Sequence, residues 1–352
     1  MGATWKSATL FDLVALQRGF DITKAQQVEG PFPVVSSSGI TSYHAACKTD
    51  GPGVVIGRKG TLGTVFYISE PHWPHDTTLW VTDFKGNLPR FAYYFLKTLR
   101  LEQFDVGAAN PSLNRNHIHG LPIRIPDTKA QRRITDVLSA YDDLIENNTK
   151  RINILEEMAR SLYREWFVEL RFPGHEKAKF VETAIGRVPK GWELGALGDV
   201  VTLQRGFDLP ERDRCPGIIP IVSSSGVTGT HDTAKVDAPG IVTGRYGTLG
   251  EVYTTLFVKD FKGSNPYWLL YLLRSLNFSR QNVAGAVPGV NRNFLHMMRI
   301  VIPHPIVQKQ FGVESDPILE QVQLLSRKTK LLSQQRDLLL PRLISGEIEL
   351  PT

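Results

Sequence analysis

The stretch "GVVIGRKGTLG" at residues 53–63 returns as "GIVTGRYGTLG" at residues 240–250, and this recurrence decides how the chain is organised. A match at a fixed offset is the signature of a repeated structural unit. Working outward at the same shift of 187 residues, Trp5 meets Trp192, "LQRGFD" (16–21) meets "LQRGFD" (203–208), "PVVSSSG" (33–39) meets "PIVSSSG" (220–226), and His44 meets His231. Farther along the shift falls to 177: "TTLWVTDFKG" (77–86) meets "TTLFVKDFKG" (254–263), "NRN" (114–116) meets "NRN" (291–293), and "IRIP" (123–126) meets "IVIP" (300–303). The chain is a tandem duplication whose second copy lacks the ten residues equivalent to 67–76, "YISEPHWPHD".

After each copy the pattern changes. Ile134, Leu138, Tyr141, Ile145, Asn148, Ile152, Leu155, Ala159, Leu162 and Trp166 keep an unbroken 4–3 spacing, a heptad seam with one polar member. No Pro or Gly falls between residues 130 and 172, which allows one helix of about 40 residues, about 60 Å long. Ile318, Val322, Leu325, Thr329, Leu332 and Leu339 continue the same logic after the second copy, up to Pro341. Asn148 fits either a register-setting position in the seam or a solvent-facing one. Within each copy, short β-rich runs such as "PFPVVSSS" and "TLWVTDF" are punctuated by Gly and Pro, as in a small irregular sheet. The aromatic and leucine stripes of residues 89–104 and 266–278 have helical spacing and read as core. The expected fold class is α+β, with a globular domain at 1–127, a helical spacer at 128–171, a linker and second domain at 172–304 and a second helical spacer at 305–352. Residues 172–194 read as a polar, turn-rich connection.

The bulk properties fit two domains with real cores in 352 residues, and a net charge of +6 leans mildly towards a polyanionic partner. Cys47 and Cys215 stand in unrelated contexts, which argues against a disulfide framework or a cysteine-based zinc site. The opening "MGATWKSATLF" has no signal-peptide pattern, and no apolar run approaches the roughly 20 residues of a membrane span. A cytoplasmic protein with no membrane association is expected.

Catalytic motifs are not found. The glycine-spaced turn lacks the P-loop spacing, and a strand rather than a helix follows it, so it is not a dinucleotide fingerprint. The nine histidines show no metal-ligand spacing, and His44/His231 and His119/His296 read as structural residues. No serine elbow occurs, and the "SSSG" turns have no adjacent base. Asp83 and Lys85, with Asp76 upstream, superficially match a metal-dependent nuclease, but "DFKGN" reads as a strand entering a turn, and the second copy has no equivalent of Asp76. No catalytic residue and no metal ligand is assigned.

What remains is polar, basic and duplicated. Arg18 and Arg205, Arg58 and Arg245, and Arg115 and Arg292 with their flanking Asn114, Asn116, Asn291 and Asn293 are DNA-binding candidates, since Arg reads guanine, Asn reads adenine and glycine turns admit phosphates. Ser37, Ser38, Ser224 and Ser225 of the "SSSG" turns join them. Residues identical in both copies suit loop geometry or phosphate contact, whereas sequence readers belong where the copies differ, as at Lys59 and Tyr246. Against these roles, "RG" could cap a strand and "NRN" could bond its own backbone.

Two globular repeats passing in order through "LQRGFD", "SSSG", "GRxGTLG" and "NRN", each closing in a long helix, resemble the specificity (S) subunit of Type I restriction–modification systems. "IGRVPKGWEL" (185–194) and "RDLLLPRLISGEIEL" (336–350) are similar to that family too. The resemblance implies a non-catalytic subunit whose two target-recognition domains each read half of an asymmetric bipartite site in double-stranded DNA. It implies that the long helices pack antiparallel as a coiled-coil spacer and docking platform for two methyltransferase subunits, with endonuclease/translocase subunits joining them. S-adenosylmethionine, ATP and Mg²⁺ are then expected in the partner subunits and no cofactor in this chain. The rivals are a self-contained nuclease or methyltransferase, for which no catalytic module remains, and a scaffold, for which the repeated basic loops have no purpose.

Overall fold

The computed structural model describes residues 4–104, 112–184, 186–223, 226–238, 240–244, 255–276 and 292–350. The chain divides into two compact units, Met1–Thr149 with Arg327–Thr352, and Lys150–Ser326.

The first unit contains β1 (Trp5–Thr9), α1 (Leu10–Leu13), β2 (Ala15–Arg18), β3 (Phe32–Ser36), β4 (Gly39–His44), β5 (Gly53–Gly57), β6 (Val65–Ile68), β7 (Trp73–Pro74), β8 (Thr78–Asp83), α2 (Pro89–Thr98), α3 (Arg115–Ile118), β9 (Pro122–Pro126) and the start of α4 (Thr128–Tyr163). β1 and β9 pair antiparallel from Trp5 opposite Pro126 to Thr9 opposite Pro122, so the repeat closes beside its own beginning. A four-stranded sheet has the order β2-β8-β5-β6, and a three-stranded sheet the order β4-β3-β7. β5, "GVVIG", is buried at every position, as a continuous apolar run predicts for a strand covered on both faces. α2 opens with Pro at its first turn, where the missing N–H costs nothing, and it buries Phe91, Ala92, Tyr94, Phe95 and Leu96. These join Leu10, Leu13, Ile56, Leu79, Leu113 and Ile118 in the core, together with Ile134 and Leu138 of α4 and Leu340, Leu343 and Ile344 near the carboxyl end.

The second unit follows the same plan. It adds β10 (Phe180–Thr183) and β11 (Gly186–Pro189), then β12 (Glu193–Ala196), α5 (Leu197–Val200), β13 (Thr202–Arg205), β14 (Ile219–Ser223), β15 (Gly226–His231), β16 (Val242–Gly244), β17 (Thr255–Asp260), α6 (Pro266–Ser275), α7 (Arg292–His296), β18 (Arg299–Ile302) and the start of α8 (Pro305–Ser345). β12 pairs with β18 as β1 pairs with β9, and β17 lies between β13 and β16 as β8 lies between β2 and β5. The connection expected at residues 172–194 is more ordered than its composition suggested, because β10 and β11 form an antiparallel hairpin within it. Tyr163, Trp166, Trp192, Trp268, Val307, Phe311 and Leu319 belong to this unit's core.

The missing ten residues have a visible structural cost. In the first unit they supply β7, which pairs in parallel with β3 and places Val34 opposite Trp73 and Val35 opposite Pro74. Val34 and Val35 are accordingly buried. Among the described residues β14 pairs only with β15, and Val222, the counterpart of Val35, is 40% exposed.

Both long helices follow the seam. Every seam residue from Ile134 to Trp166 is buried or half-buried, and Asn148 is buried too, on the seam face rather than towards solvent. A π-helical turn at Arg164–Val168 ends the run. α8 does not stop at Pro341 but continues to Ser345. Pro341 lacks an N–H for the carbonyl of Asp337, and both residues are exposed, which keeps that loss away from the core. No helix among the described residues is long and apolar enough to cross a membrane.

One polar residue fastens each helix to its unit. Gln131 is 2% exposed; its Oε1 accepts the Leu88 N–H at 3.0 Å, and its Nε2 donates to Asn87 Oδ1 at 2.7 Å and to the Pro126 carbonyl at 3.1 Å. Gln308, 177 residues on, accepts the Asn265 N–H at 3.2 Å and donates to the Pro303 carbonyl at 2.9 Å. Replacing Gln131 by Leu keeps the volume but strands a half-buried N–H and a buried carbonyl, at about 1–3 kcal/mol for the unsatisfied groups. Urea denaturation should show that loss for Gln131→Leu and, separately, for Gln308→Leu.

Candidate nucleic-acid interface

Three of the recurrent motifs meet in the first unit. An open groove of about 700 Å³ is lined by residues 17–21 of "LQRGFD", by Arg58 and Leu79, and by residues 112–116, which include "NRN". The first two motifs are held by backbone bonds to residues 74–78, and the second also bonds to Leu113, next to "NRN". Arg18 ends β2, and the loop beyond it is fixed by Gly19 N–H to the Thr78 carbonyl (3.0 Å) and Phe20 N–H to the Pro74 carbonyl (2.8 Å). A Cβ on Gly19 would lie 2.1 Å from the His75 carbonyl oxygen, so only glycine fits there. Arg58 follows β5; its N–H and that of Lys59 donate to the Thr77 carbonyl at 2.8 and 3.0 Å, and its own carbonyl accepts the Leu113 N–H at 2.9 Å.

Four amides of the "GRKGTLG" turn are taken up by the fold. The amides of Gly57, Arg58, Lys59 and Gly63 all bond within the fold, those of Gly57 and Gly63 to the Thr64 and Gly57 carbonyls. Gly60 and Gly63 take positive φ (77° and 74°), and Arg58 is the residue of this turn that lines the groove. Burial first, and the neighbouring Arg18 charge second, pull Arg58 down from the ordinary guanidinium pKa, while the Asp76 charge opposes this. Arg58 Nη1 donates to the Asp76 carbonyl at 3.4 Å.

The "NRN" motif divides its labour. Asn114 caps α3, its Oδ1 accepting the Asn116 N–H at 3.0 Å, which is the local backbone role its spacing allowed. Arg115 and Asn116 are exposed, and Arg115 Nη1 reaches the Leu16 carbonyl at 3.5 Å. Ser37 and Ser38 are not among the groove residues: they turn β3 into β4, with Ser37 N–H on Thr77 Oγ1 at 3.3 Å and Ser38 Oγ 3.0 Å from Ser36 Oγ. Lys59 is exposed and bridges Ser112 through its backbone. In the second unit Arg205 pairs with Asp208 at 3.4 Å, and Arg292 and Asn293 are exposed at the start of α7. Ser224, Ser225, Arg245, Tyr246 and Asn291 lie outside the described residues.

The remaining polar motifs have structural roles. His119 Nε2 accepts the Leu16 N–H at 3.0 Å, and His296 Nε2 accepts the Leu203 N–H at 2.9 Å. His44 Nδ1 accepts the Val28 N–H and His231 Nδ1 the Cys215 N–H, both at 3.0 Å. "DFKG" is a tight turn: Asp83 Oδ1 accepts the Lys85 N–H at 2.7 Å with Lys85 at φ 53°, and Asp260 holds Lys262 likewise at 2.8 Å. Spacing gave no sign of two clusters that the fold creates, Asp21 with His75 and Asp76, and Cys215 with His231 and Asp232. In the first, Arg18 already occupies Asp76, with Nη2 2.8 Å from Oδ2. Asp76 thus stands behind a groove residue, outside the lining itself, in a role that the sequence did not reveal.

Residues 3–157 match the family model of the Type I restriction modification DNA specificity domain. The chain is 25% identical over 304 residues to the Type I restriction enzyme MjaIX specificity subunit of Methanocaldococcus jannaschii, covering 75% of this chain and 70% of that one. It is 22% identical to the HindI specificity subunit of Haemophilus influenzae, over 68% of this chain and 71% of the relative. The solved structure of a Type I restriction–modification S subunit from M. genitalium matches 97% of this chain and 96% of its own at a TM-score of 0.66 and 16% identity, a likeness of fold.

The histidine acceptors make the fold sensitive to pH. Burial, then the Arg115 charge, lowers the pKa of His119; burial, then Lys262 and Arg292, lowers that of His296. Each ring must be neutral to accept its amide, so its stabilisation is complete above the unfolded value of about 6.5 and is lost as pH falls from there through the depressed folded value. Thermal melts should therefore shift to lower temperature between pH 7.5 and 5.5. His119→Gln should show a flatter dependence; an unchanged slope would remove His119 as a cause.

Proposed function

We propose that this chain, whose residues 3–157 match the Type I restriction modification DNA specificity domain, is a non-catalytic DNA-recognition subunit whose two units each read one half of a bipartite site. The observation that carries this is the groove of the first unit, where three motifs that recur in both copies converge with Arg18, Arg58 and Arg115. Guanidinium groups on a concave face suit phosphates and the acceptor edges of bases. The second copy repeats "LQRGFD" and "NRN" on matching elements, β13 and α7. Two related but unequal readers on one chain suit a site with two unequal halves.

The long helices act as the spacer between the half-sites and as the surface on which methyltransferase subunits dock, with endonuclease/translocase subunits completing the assembly. S-adenosylmethionine, ATP and Mg²⁺ belong to those partners. The recurrent bonding of each helix start by Gln131 and Gln308 supports this reading, because a spacer works only when rigidly joined to what it separates.

Two experiments test the proposal. Arg58→Ala in the assembled complex should weaken binding to cognate and random DNA alike and reduce the salt slope by about one unit, as loss of one phosphate contact does. A loss confined to cognate DNA would make Arg58 a base reader, and unchanged binding would remove it from the interface. Inserting four residues after Asn148 adds about 6 Å of helix. Methylated sites mapped for that variant, once assembled, should show both half-sites unchanged and a longer unread spacer; an active variant with the spacer unchanged would show that the helices do not set it.

A further inference from the structure

Arg18 and Arg205 are the same residue of the same motif, yet they are held differently. Arg18 Nη2 lies 2.8 Å from Asp76 Oδ2, and Asp76 is only 17% exposed by its side chain. Asp76 sits outside the groove lining, with His75 Nδ1 3.2 Å from its other oxygen and Arg58 on its carbonyl. The segment that carries Asp76 is absent from the second copy, and among the described residues Arg205 pairs with Asp208, 75% exposed and 3.4 Å away.

We propose that Asp76 is a positioning residue that makes Arg18 a reader of guanine in the first half-site, whereas Arg205 grips phosphate in the second; this deepens the function proposed above and rests on it. The physical reason is charge. A guanidinium paired with a shielded carboxylate brings no net charge to the groove, so it gains little from a phosphate and releases little counterion. The same pair keeps its directional donors: Nη2 retains a second hydrogen and Nη1 both of its own, in a fork that matches guanine O6 and N7. The carboxylate also holds the side chain in one orientation, so less rotamer freedom is lost on binding. Arg18, 55% exposed by its side chain, presents that fork to the groove. Arg58 and Arg115, neither of them in an ion pair with Asp76, are left to hold the backbone.

The test is selection of bound duplexes from a randomised DNA pool by the complete complex with its methyltransferase partners, with salt-dependent affinity measured in parallel. For the unsubstituted complex a bipartite site with a guanine in the first half is expected. Asp76→Asn should reduce the preference for that guanine by roughly 5- to 150-fold, the span of one bidentate contact. It should also raise affinity for random DNA and steepen the salt slope by about one unit, because Arg18 is no longer neutralised. Asp76→Glu should restore part of the preference. Arg18→Lys should lose it with the salt slope unchanged, and the second half-site should be untouched throughout. If Asp76→Asn tightens cognate and random DNA by the same factor with no position relaxed, or if both half-sites degrade together, Asp76 does not position a reader. If the unsubstituted complex selects no bipartite site, the function proposed above fails and this inference with it, an outcome distinct from a sound site that Asp76→Asn leaves intact.

Discussion

The structure depends on how the end of each repeat is tied to the start of its long helix. Gln131 is buried at the point where β9 becomes α4, and it satisfies the first amide of α2's approach while donating to Pro126 and to Asn87. Asn87 in turn donates to the carbonyls of Asp12, Leu13 and Phe84, so α1, the end of β8, α2 and α4 share one polar junction. Buried polar groups are costly when unpaired and specific when paired. A junction in which every partner is fixed admits one direction for the helix. The second unit rebuilds it with different parts: Gln308 keeps the central bonds, Asn265 caps α6, and the Lys262 ammonium donates to the Gly198 carbonyl.

The sequence discloses those features that repeat or that follow a period. The duplication is legible in its motifs, the two stems in the 4–3 spacing, the core helices in their aromatic stripes, and the turn at "DFKG" in its Asp-to-amide offset. Other features depend on tertiary neighbours and leave no periodic trace. Gln131 and Gln308 are polar residues at the mouth of a polar helix, and only burial tells them from solvent-facing neighbours. The β10–β11 hairpin hides in a polar stretch because half of its residues are exposed and its buried ones, Val188 and Pro189, are adjacent, so no apolar alternation marks it. α8 passes Pro341 because the loss of one amide is small beside the packing of Leu340, Leu343 and Ile344 on either side of it. The glycine turn was legible as a tight turn but not in its use, since which amides remain free depends on Thr64 and Thr77 across the sheet.

Duplication lets the two units be compared as if one were a variant of the other. The ten-residue segment brings β7, a third strand that covers β3, and with it the Trp73 indole, whose Nε1 donates to the Phe20 carbonyl at 3.1 Å. Phe20 contacts both Trp73 and Trp80, at 6.2 and 6.0 Å between ring centroids. In the second unit Phe207 keeps the contact to Phe257, the counterpart of Trp80, at 5.7 Å, but is 54% exposed. Among the described residues the same loop is therefore clamped on two sides in one unit and on one side in the other.

That difference matters for how a reader is built from ordinary parts. A base-reading side chain must be held within a fraction of an ångström, because hydrogen bonds weaken steeply with misalignment. A phosphate contact tolerates a flexible chain, because the attraction is long-ranged and weakly directional. The extra segment therefore does more than lengthen a loop. By covering β3, anchoring Phe20 and placing a shielded carboxylate behind Arg18, it shifts one side chain of a duplicated motif from the tolerant kind of contact towards the exacting kind. The identical "LQRGFD" of the second unit, without that backing, remains suited to the tolerant one. On the inference drawn above, a change of ten residues outside the motif separates the two uses, while the motif itself stays the same.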